Sequence, residues 1–87
     1  MRQMKYKKYD ILLVKWDDAA GAGGWNKNEE RLLEPHWVHT TGMFLGQTND
    51  RLLVCMNHAY EENNHGDFMS VPKGMIASIK VLKRAAR

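Results

Sequence analysis

The residues best suited to ligand chemistry lie in one short tract, WDDAAGAGGW, at residues 16–25. Trp16 and Trp25 bracket it, and indole rings can stack on nucleobases. The alanine–glycine run between them lets the backbone come close to a ligand, and its amides can face a phosphate. The alternative is structural, because a small domain needs large aromatic side chains for burial. The tract is therefore either a ligand-binding loop or a cap on the end of a thin fold.

Two adjacent aspartates, Asp17 and Asp18, begin the tract. They can accept hydrogen bonds from a base or a ribose or bind a cation, but aspartates at the start of a loop usually cap turns. Nothing in the sequence fixes a second carboxylate beside them, so they do not form an acid–base pair. The chain also lacks GxGxxG and P-loop sequences, and hence any signature of nucleotide hydrolysis.

The remaining nucleophilic and metal-binding side chains do not form a recognised motif. The single cysteine, Cys55, lies within the apolar run LLVCMN and is expected to be a buried, inert thiol. It leaves no internal disulfide, which favours a reducing, cytoplasmic compartment. The four histidines have no metal-ligand spacing: His36, His39, His58 and His65. We therefore expect a protein that is not an enzyme, with no metal and no cofactor.

The net charge of +3 hides an uneven distribution. Eight of the thirteen Lys and Arg residues lie in 1–8 and 80–87, which contain no acid, whereas 9–79 contains five basic and ten acidic residues. The sequence thus predicts an acidic body with a basic tail at 1–8 and another at 83–87. Such tails attract phosphate polymers without reading their sequence, or simply confer solubility. The tail residues predicted to contact nucleic acid are Lys5, Lys7, Lys8, Lys83 and Arg84.

Hydrophobic patterning predicts a mainly-β domain over residues 9–82. Predicted strands cover 9–16, 36–48, 51–60, 67–71 and 76–82. A long loop or a short helix at 26–34 separates the first two strands. A polar loop at 61–67, in which Gly66 can adopt a positive φ, separates the third strand from the fourth. One 3₁₀ turn in PKGM separates the last two strands. Gly42 and Gly46 are predicted bend or bulge points. Short strands without room for crossover helices indicate a small, strongly bent, antiparallel five-stranded barrel. The sequence contains no run of eighteen apolar residues, so no membrane span is predicted.

This strand order is that of SH3-like and Sm-like barrels, and residues 36–82 resemble Sm-like (LSm) proteins. The resemblance is carried by GMFLG in the second strand, by DRLLVCMN, and by VPKGMIASI, which is similar to the second Sm motif. The whole chain is also similar to short phage proteins with a Trp–Asp…Gly–Trp tract after their first strand, some of which have an Sm-like barrel. The chain differs from Sm proteins in its long 17–35 insertion and in lacking an evident N-terminal helix.

The resemblance implies a ring of five to seven copies, in which the fourth strand of one copy pairs with the fifth strand of the next. That pairing would cover two edges that otherwise promote aggregation. By the same resemblance, Lys73 and Gly74 would meet a phosphate or base near the central pore, and Asn49, Asp50 and Asn57 would lie near the same face. The alternative for Lys73 is an exposed lysine in an ordinary turn.

These observations predict a non-catalytic, ring-forming, phage-type Sm-like binding protein for single-stranded RNA or nucleotides, in the cytoplasm of a bacterial host. One alternative is a phage anti-defence protein that sequesters a host nucleotide signal, and another is a protein–protein adaptor or inhibitor of a host factor. The expected partners are copies of itself and either single-stranded RNA or a small nucleotide, with no membrane. The predicted ligand-binding residues are Trp16, Asp17, Trp25, Asn49, Asp50, Asn57, Lys73 and Gly74.

Overall fold

The computed structural model describes residues 5–18 and 33–86 of the chain. They form five antiparallel strands in one sheet with almost no helix, which confirms the mainly-β prediction. The strands are β1 (Ile11–Asp17), β2 (Trp37–Gln47), β3 (Arg51–Ala59), β4 (Asn64–Pro72) and β5 (Ile76–Lys83). One 3₁₀ turn, Lys73–Met75, separates β4 from β5, as predicted from PKGM. Trp25 and most of the predicted helix at 26–34 lie outside the described residues.

The strand order across the sheet is β4-β3-β2-β1-β5. Every neighbouring pair is antiparallel. In the described part of the chain β4 and β5 do not pair with each other, so the sheet is unclosed and these two strands are its edges. They are the strands that the sequence predicts as edges.

β2 changes its pairing partner near Met43. Its first part pairs with β1, from Trp37 opposite Asp17 to Met43 opposite Ile11, and its last part pairs with β3. A register shift between Phe44 and Gly46 marks a bulge at this change. Bulges increase the local twist of a sheet, which agrees with the predicted bend near Gly46.

Side chains of both edge strands, β4 and β5, reach one buried cluster, so the sheet curves around its core and the core face is the concave one. Alternate residues of β1 are buried, because successive side chains of a strand point to opposite faces. The buried apolar cluster consists of Leu12, Val14, Trp16, Phe44, Leu52, Val54 and Val71, and Tyr6, Val38, Ile76, Ile79 and Val81 pack against it. All five strands contribute to this cluster or pack against it, so one core holds the whole sheet together.

The first strand begins two residues later than predicted, at Ile11 rather than Tyr9. Tyr9 has a left-handed backbone with φ 77°. The Asp10 N–H donates to the Lys7 carbonyl over 2.9 Å, which closes a turn immediately before the strand. A non-glycine residue in this region is uncommon, and alternation of residue types does not reveal it.

The fourth strand begins at Asn64, three residues earlier than predicted, so the predicted loop at 61–67 is only partly a loop. Polar composition suggested a loop, but cross-strand pairs extend the hairpin, with His58 opposite His65. The positive φ values in this region belong to Asn63 (54°) and Asp67 (58°), not to Gly66. Asparagine and aspartate tolerate this conformation better than other non-glycine residues do.

Candidate functional site

Two polar turns that are distant in sequence meet at one end of the molecule. The Lys73 N–H donates to the Asp50 carbonyl over 2.7 Å, which joins the β2–β3 turn to the 3₁₀ turn. We call this group the corner site and define it by Asn49, Asp50, Arg51, Lys73 and Gly74. Four of these five residues are those that the Sm-like resemblance placed together.

The corner site is held in shape by a compact turn. Thr48 Oγ1 accepts hydrogen bonds from the N–H groups of Asp50 and Arg51, at 3.2 and 3.0 Å. The Thr48 N–H donates to the Arg51 carbonyl over 2.9 Å. Threonine hydroxyls commonly stabilise turns in this way. Asn49 and Gly74 are exposed on this frame, so their side-chain and backbone polar groups face solvent.

Arg51 is the corner residue that sequence reasoning missed. Its Nη1 lies 3.2 Å from Ser70 Oγ and 3.4 Å from the Ser70 carbonyl, which holds the guanidinium beside β4. With Lys73 it gives the corner two positive charges against the single negative charge of Asp50. Guanidinium and ammonium groups both bind phosphate. The only signal in the sequence was its position directly after the Asn49–Asp50 turn.

Trp16 is buried in the core and is not displayed on the surface. Its side chain is only 8% exposed and belongs to the core cluster. Its indole Nε1–H donates to Thr40 Oγ1 over 2.9 Å, so its polar atom is satisfied within the sheet. This placement favours the capping alternative for Trp16. Trp25 lies outside the described residues.

Asp17 and Asp18 both hydrogen-bond to His36, where the end of β1 lies beside the start of β2. Asp17 Oδ1 accepts the His36 N–H over 2.8 Å, and the Asp18 N–H donates to the His36 carbonyl over 2.8 Å. These contacts favour the turn-capping alternative for both aspartates, and Asp17 is half-buried.

Asn57 does not join the corner site. It lies six residues beyond Arg51 along β3, about 20 Å in an extended strand. Its Nδ2 donates to Asp67 Oδ2 over 2.6 Å, a contact that links β3 to β4 near their hairpin turn. The resemblance grouped Asn57 with the turn residues, whereas the strand separates them.

The two basic segments are tied to each other by a buried carboxylate. Asp10 is completely buried and accepts hydrogen bonds from the Lys7 N–H (2.9 Å), Arg84 Nη1 (3.0 Å) and the Ala85 N–H (2.7 Å). A buried charge requires such partners. The predicted nucleic-acid-binding residue Arg84 therefore also neutralises Asp10, and Lys83 is the last residue of β5.

A cluster of rings packs the N-terminal segment against the β3–β4 hairpin. Tyr9 Oη lies 3.0 Å from His65 Nε2 and 3.2 Å from His58 Nε2. The His58 ring stacks on Tyr9 and on His65, each with a 13° angle between ring planes, and Tyr60 meets His58 edge-on. Both Nε2 atoms already contact the Tyr9 hydroxyl, and the described residues place no third His, Cys, Asp or Glu ligand with them, so the cluster is suited to packing rather than to metal binding.

Acid–base properties also follow from this packing. Burial, then repulsion from His58 and Lys8, lowers the pKa of His65. His58 Nδ1 is buried and has no hydrogen-bond partner among the described residues. Burial also raises the pKa of the Cys55 thiol, which makes this side chain the inert thiol expected from the sequence.

In the ranges described, no group of three or more His, Cys, Asp or Glu side chains is arranged to hold a metal ion. His39 lies on β2 opposite Lys15, away from the paired His58 and His65. Within the described residues, no helix is long and apolar enough to span a membrane.

A scan against protein-family models, a search of curated proteins and a search of solved structures gave no significant match.

Proposed function

We propose that this chain is a non-catalytic, homo-oligomeric Sm-like protein that binds single-stranded RNA or nucleotides through the corner site. The observation that carries the proposal is the Lys73 N–H···O=C Asp50 hydrogen bond, which joins two turns separated by more than twenty residues. It brings together the exposed Arg51, the half-buried Lys73, the exposed Asn49 amide and Gly74. Such a surface suits a phosphate and an adjacent base or ribose.

The edge strands support assembly with further copies. In the described residues, β4 and β5 each pair on one side only, and they carry exposed apolar side chains such as Phe68, Met69 and Leu82. Long unpaired edges with apolar side chains are usually covered in native proteins. When β4 of one copy pairs antiparallel with β5 of the next, the same contact repeats head to tail. Such an assembly closes into a ring when the rotation between neighbouring copies allows it.

The first experiment measures assembly by native mass spectrometry. We expect a single closed oligomer for the wild type. Phe68→Lys places a charge on β4 and should shift the population towards smaller species, because edge lysines oppose strand addition. Tyr60→Lys is the matched control, since Tyr60 is 82% exposed but lies in the β3–β4 turn. A wild-type monomer at micromolar concentration would contradict the ring.

The second experiment measures binding to a fluorescein-labelled oligouridine by anisotropy as a function of salt. Lys73→Ala should weaken binding to all sequences alike and lower the salt slope by about 0.7, the value for one phosphate contact on a single strand. Lys73→Arg keeps the charge and should preserve the slope. Binding of a mononucleotide without the oligonucleotide would assign the site to small nucleotides. No binding of either would refute the proposed function.

A further inference from the structure

The convex face of β5, β1 and β2 carries a row of basic side chains that ends at an exposed tryptophan. Because Leu12, Val14 and Trp16 face the core, the intervening residues of β1 face outward. Lys15 is one of these, and it lies between His39 on β2 and Ser78 on β5. We call the row the convex stripe, and its members are Lys83, Lys80, Lys15, His39 and Trp37.

The register of the sheet puts these residues on one surface. Lys80 is opposite Leu13 and Lys83 is opposite Ile11, two outward positions of β1. Trp37 is opposite Asp17 at the other end of β1. The stripe therefore runs the length of β1, about 20 Å for six residue steps.

Trp37 and Lys15 form a preassembled contact at one end of the stripe. The Lys15 Nζ lies 4.8 Å from the centroid of the Trp37 ring system, within the range of a cation–π interaction. Trp37 nevertheless remains 50% exposed. An exposed indole with an ammonium group beside it offers a stacking surface and a phosphate contact within the space of one nucleotide.

The charge of this surface is strongly one-sided. Across 11–17, 37–43 and 76–83 the only acidic residue is Asp17, and its Oδ1 already accepts the His36 N–H. Three lysines face outward on the same segments. The other acidic residues that the structure describes lie on other segments, so the net acidity of residues 9–79 does not describe these strands. A polyanion is the ligand whose charge complements it.

We propose that the convex stripe binds single-stranded nucleic acid, with a base stacked on Trp37 and the phosphate chain along Lys15, Lys80 and Lys83. An extended peptide with acidic side chains would form ion pairs with the lysines but would not stack a base on the Trp37 indole. The stripe is a second surface beyond the corner site, and it rests on the proposed function only for the class of ligand.

The test uses the full chain and fluorescein-labelled oligouridine and oligodeoxythymidine of about ten nucleotides, a length within the usual range for one small β-domain. Loss of one stacked base costs about 1–3 kcal/mol, so Trp37→Ala should weaken binding about 5- to 150-fold. Trp37→Phe keeps an aromatic face and should retain most of the affinity. Tyr60→Ala, which removes another exposed aromatic ring, should bind like the wild type.

A lysine pair tests the phosphate contacts. The Lys15→Ala/Lys80→Ala variant should lower the salt slope by about 1.4, since each single-strand phosphate contact contributes about 0.7. Circular dichroism and native mass spectrometry show whether each variant keeps its fold and assembly. If stripe variants bind both oligonucleotides like the wild type while Lys73→Ala loses affinity, the stripe is refuted and the corner site stands. If the wild type binds neither oligonucleotide, both proposals fail.

Discussion

Gly42 offers a test of how closely β2 and β3 approach each other. It is a buried residue in the middle of β2. A Cβ atom built on Gly42 would lie 3.0 Å from the Cys55 carbonyl oxygen and 3.1 Å from both Cβ and Cγ2 of Val54. The nearest obstacle is backbone, which cannot swing away as a flexible side chain can. Ala at position 42 must therefore push β3 away from β2.

The cost of this displacement can be bounded. The strand pairs next to Gly42 are Met43 opposite Cys55 and Phe44 opposite Val54, so a shift of β3 disturbs both the ladder and the core. Overpacking of this kind costs about 1–3 kcal/mol. For a domain of 60–100 residues, each kcal/mol corresponds to about 4–8 °C in Tm. The φ of Gly42 is not in the left-handed region, so the penalty is steric.

Gly46 on the same strand is the matched control. No atom lies within 4 Å of a Cβ built there, and its φ is also outside the left-handed region. Both Gly→Ala changes reduce the entropy of the unfolded chain by a similar amount. The difference between Gly42→Ala and Gly46→Ala therefore isolates the steric effect, and we expect Gly42→Ala to be less stable by about 1–3 kcal/mol.

Urea unfolding followed by tryptophan fluorescence measures this difference. All variants must be compared at one protein concentration, because the unfolding of an oligomer depends on concentration. Equal urea midpoints for the two alanine variants would refute the close approach of the strands at Gly42. A change in slope without a change in midpoint would indicate an altered unfolded state instead.

Two further predictions concern residues that contact the N-terminal segment, His65 through Tyr9 and Arg84 through Asp10. The lowered pKa of His65 means that the unfolded state takes up its proton first as pH falls below about 6.5, so acidification through this window should lower Tm. His65→Gln should make the Tm less dependent on pH between 8 and 5, and an unchanged dependence would contradict the assignment. Asp10→Asn removes a buried charge with three donors and should cost at least about 1.5–3 kcal/mol in urea unfolding. Arg84→Ala should cost less than Asp10→Asn, because the arginine is half-exposed and Asp10 keeps the Lys7 and Ala85 N–H donors, and equal costs would contradict this ranking.

The strands themselves could be predicted from the sequence because their residues carry a local signal. The run ILLVKW and the alternation in WVHTTGMF predict extended structure, and β1 and β2 are found there. Pro72 and Gly74 predict the break before β5, and Lys73–Met75 forms it. These patterns depend on the steric preferences of each residue and its near neighbours, which the sequence contains.

The site could be predicted only in part. The turn residues Asn49 and Lys73 were identified by a family resemblance, and their proximity depends on a hydrogen bond between distant turns. Asn57 was grouped with them although its strand position places it far away. Arg51 and Trp37 carried no motif, because nothing in a single sequence states which strand faces meet solvent together.

The amino-acid sequence by itself determined the β class, the order of the elements, the buried Cys55 and the basic character of the two terminal segments. Only the tertiary structure decided that Asp10 joins those segments, that two turns form the corner site and that three lysines share one face of the sheet with Trp37. The reason is physical. Strand propensity acts over a few residues, whereas register and bend place residues from distant strands side by side, and these depend on how the whole core packs.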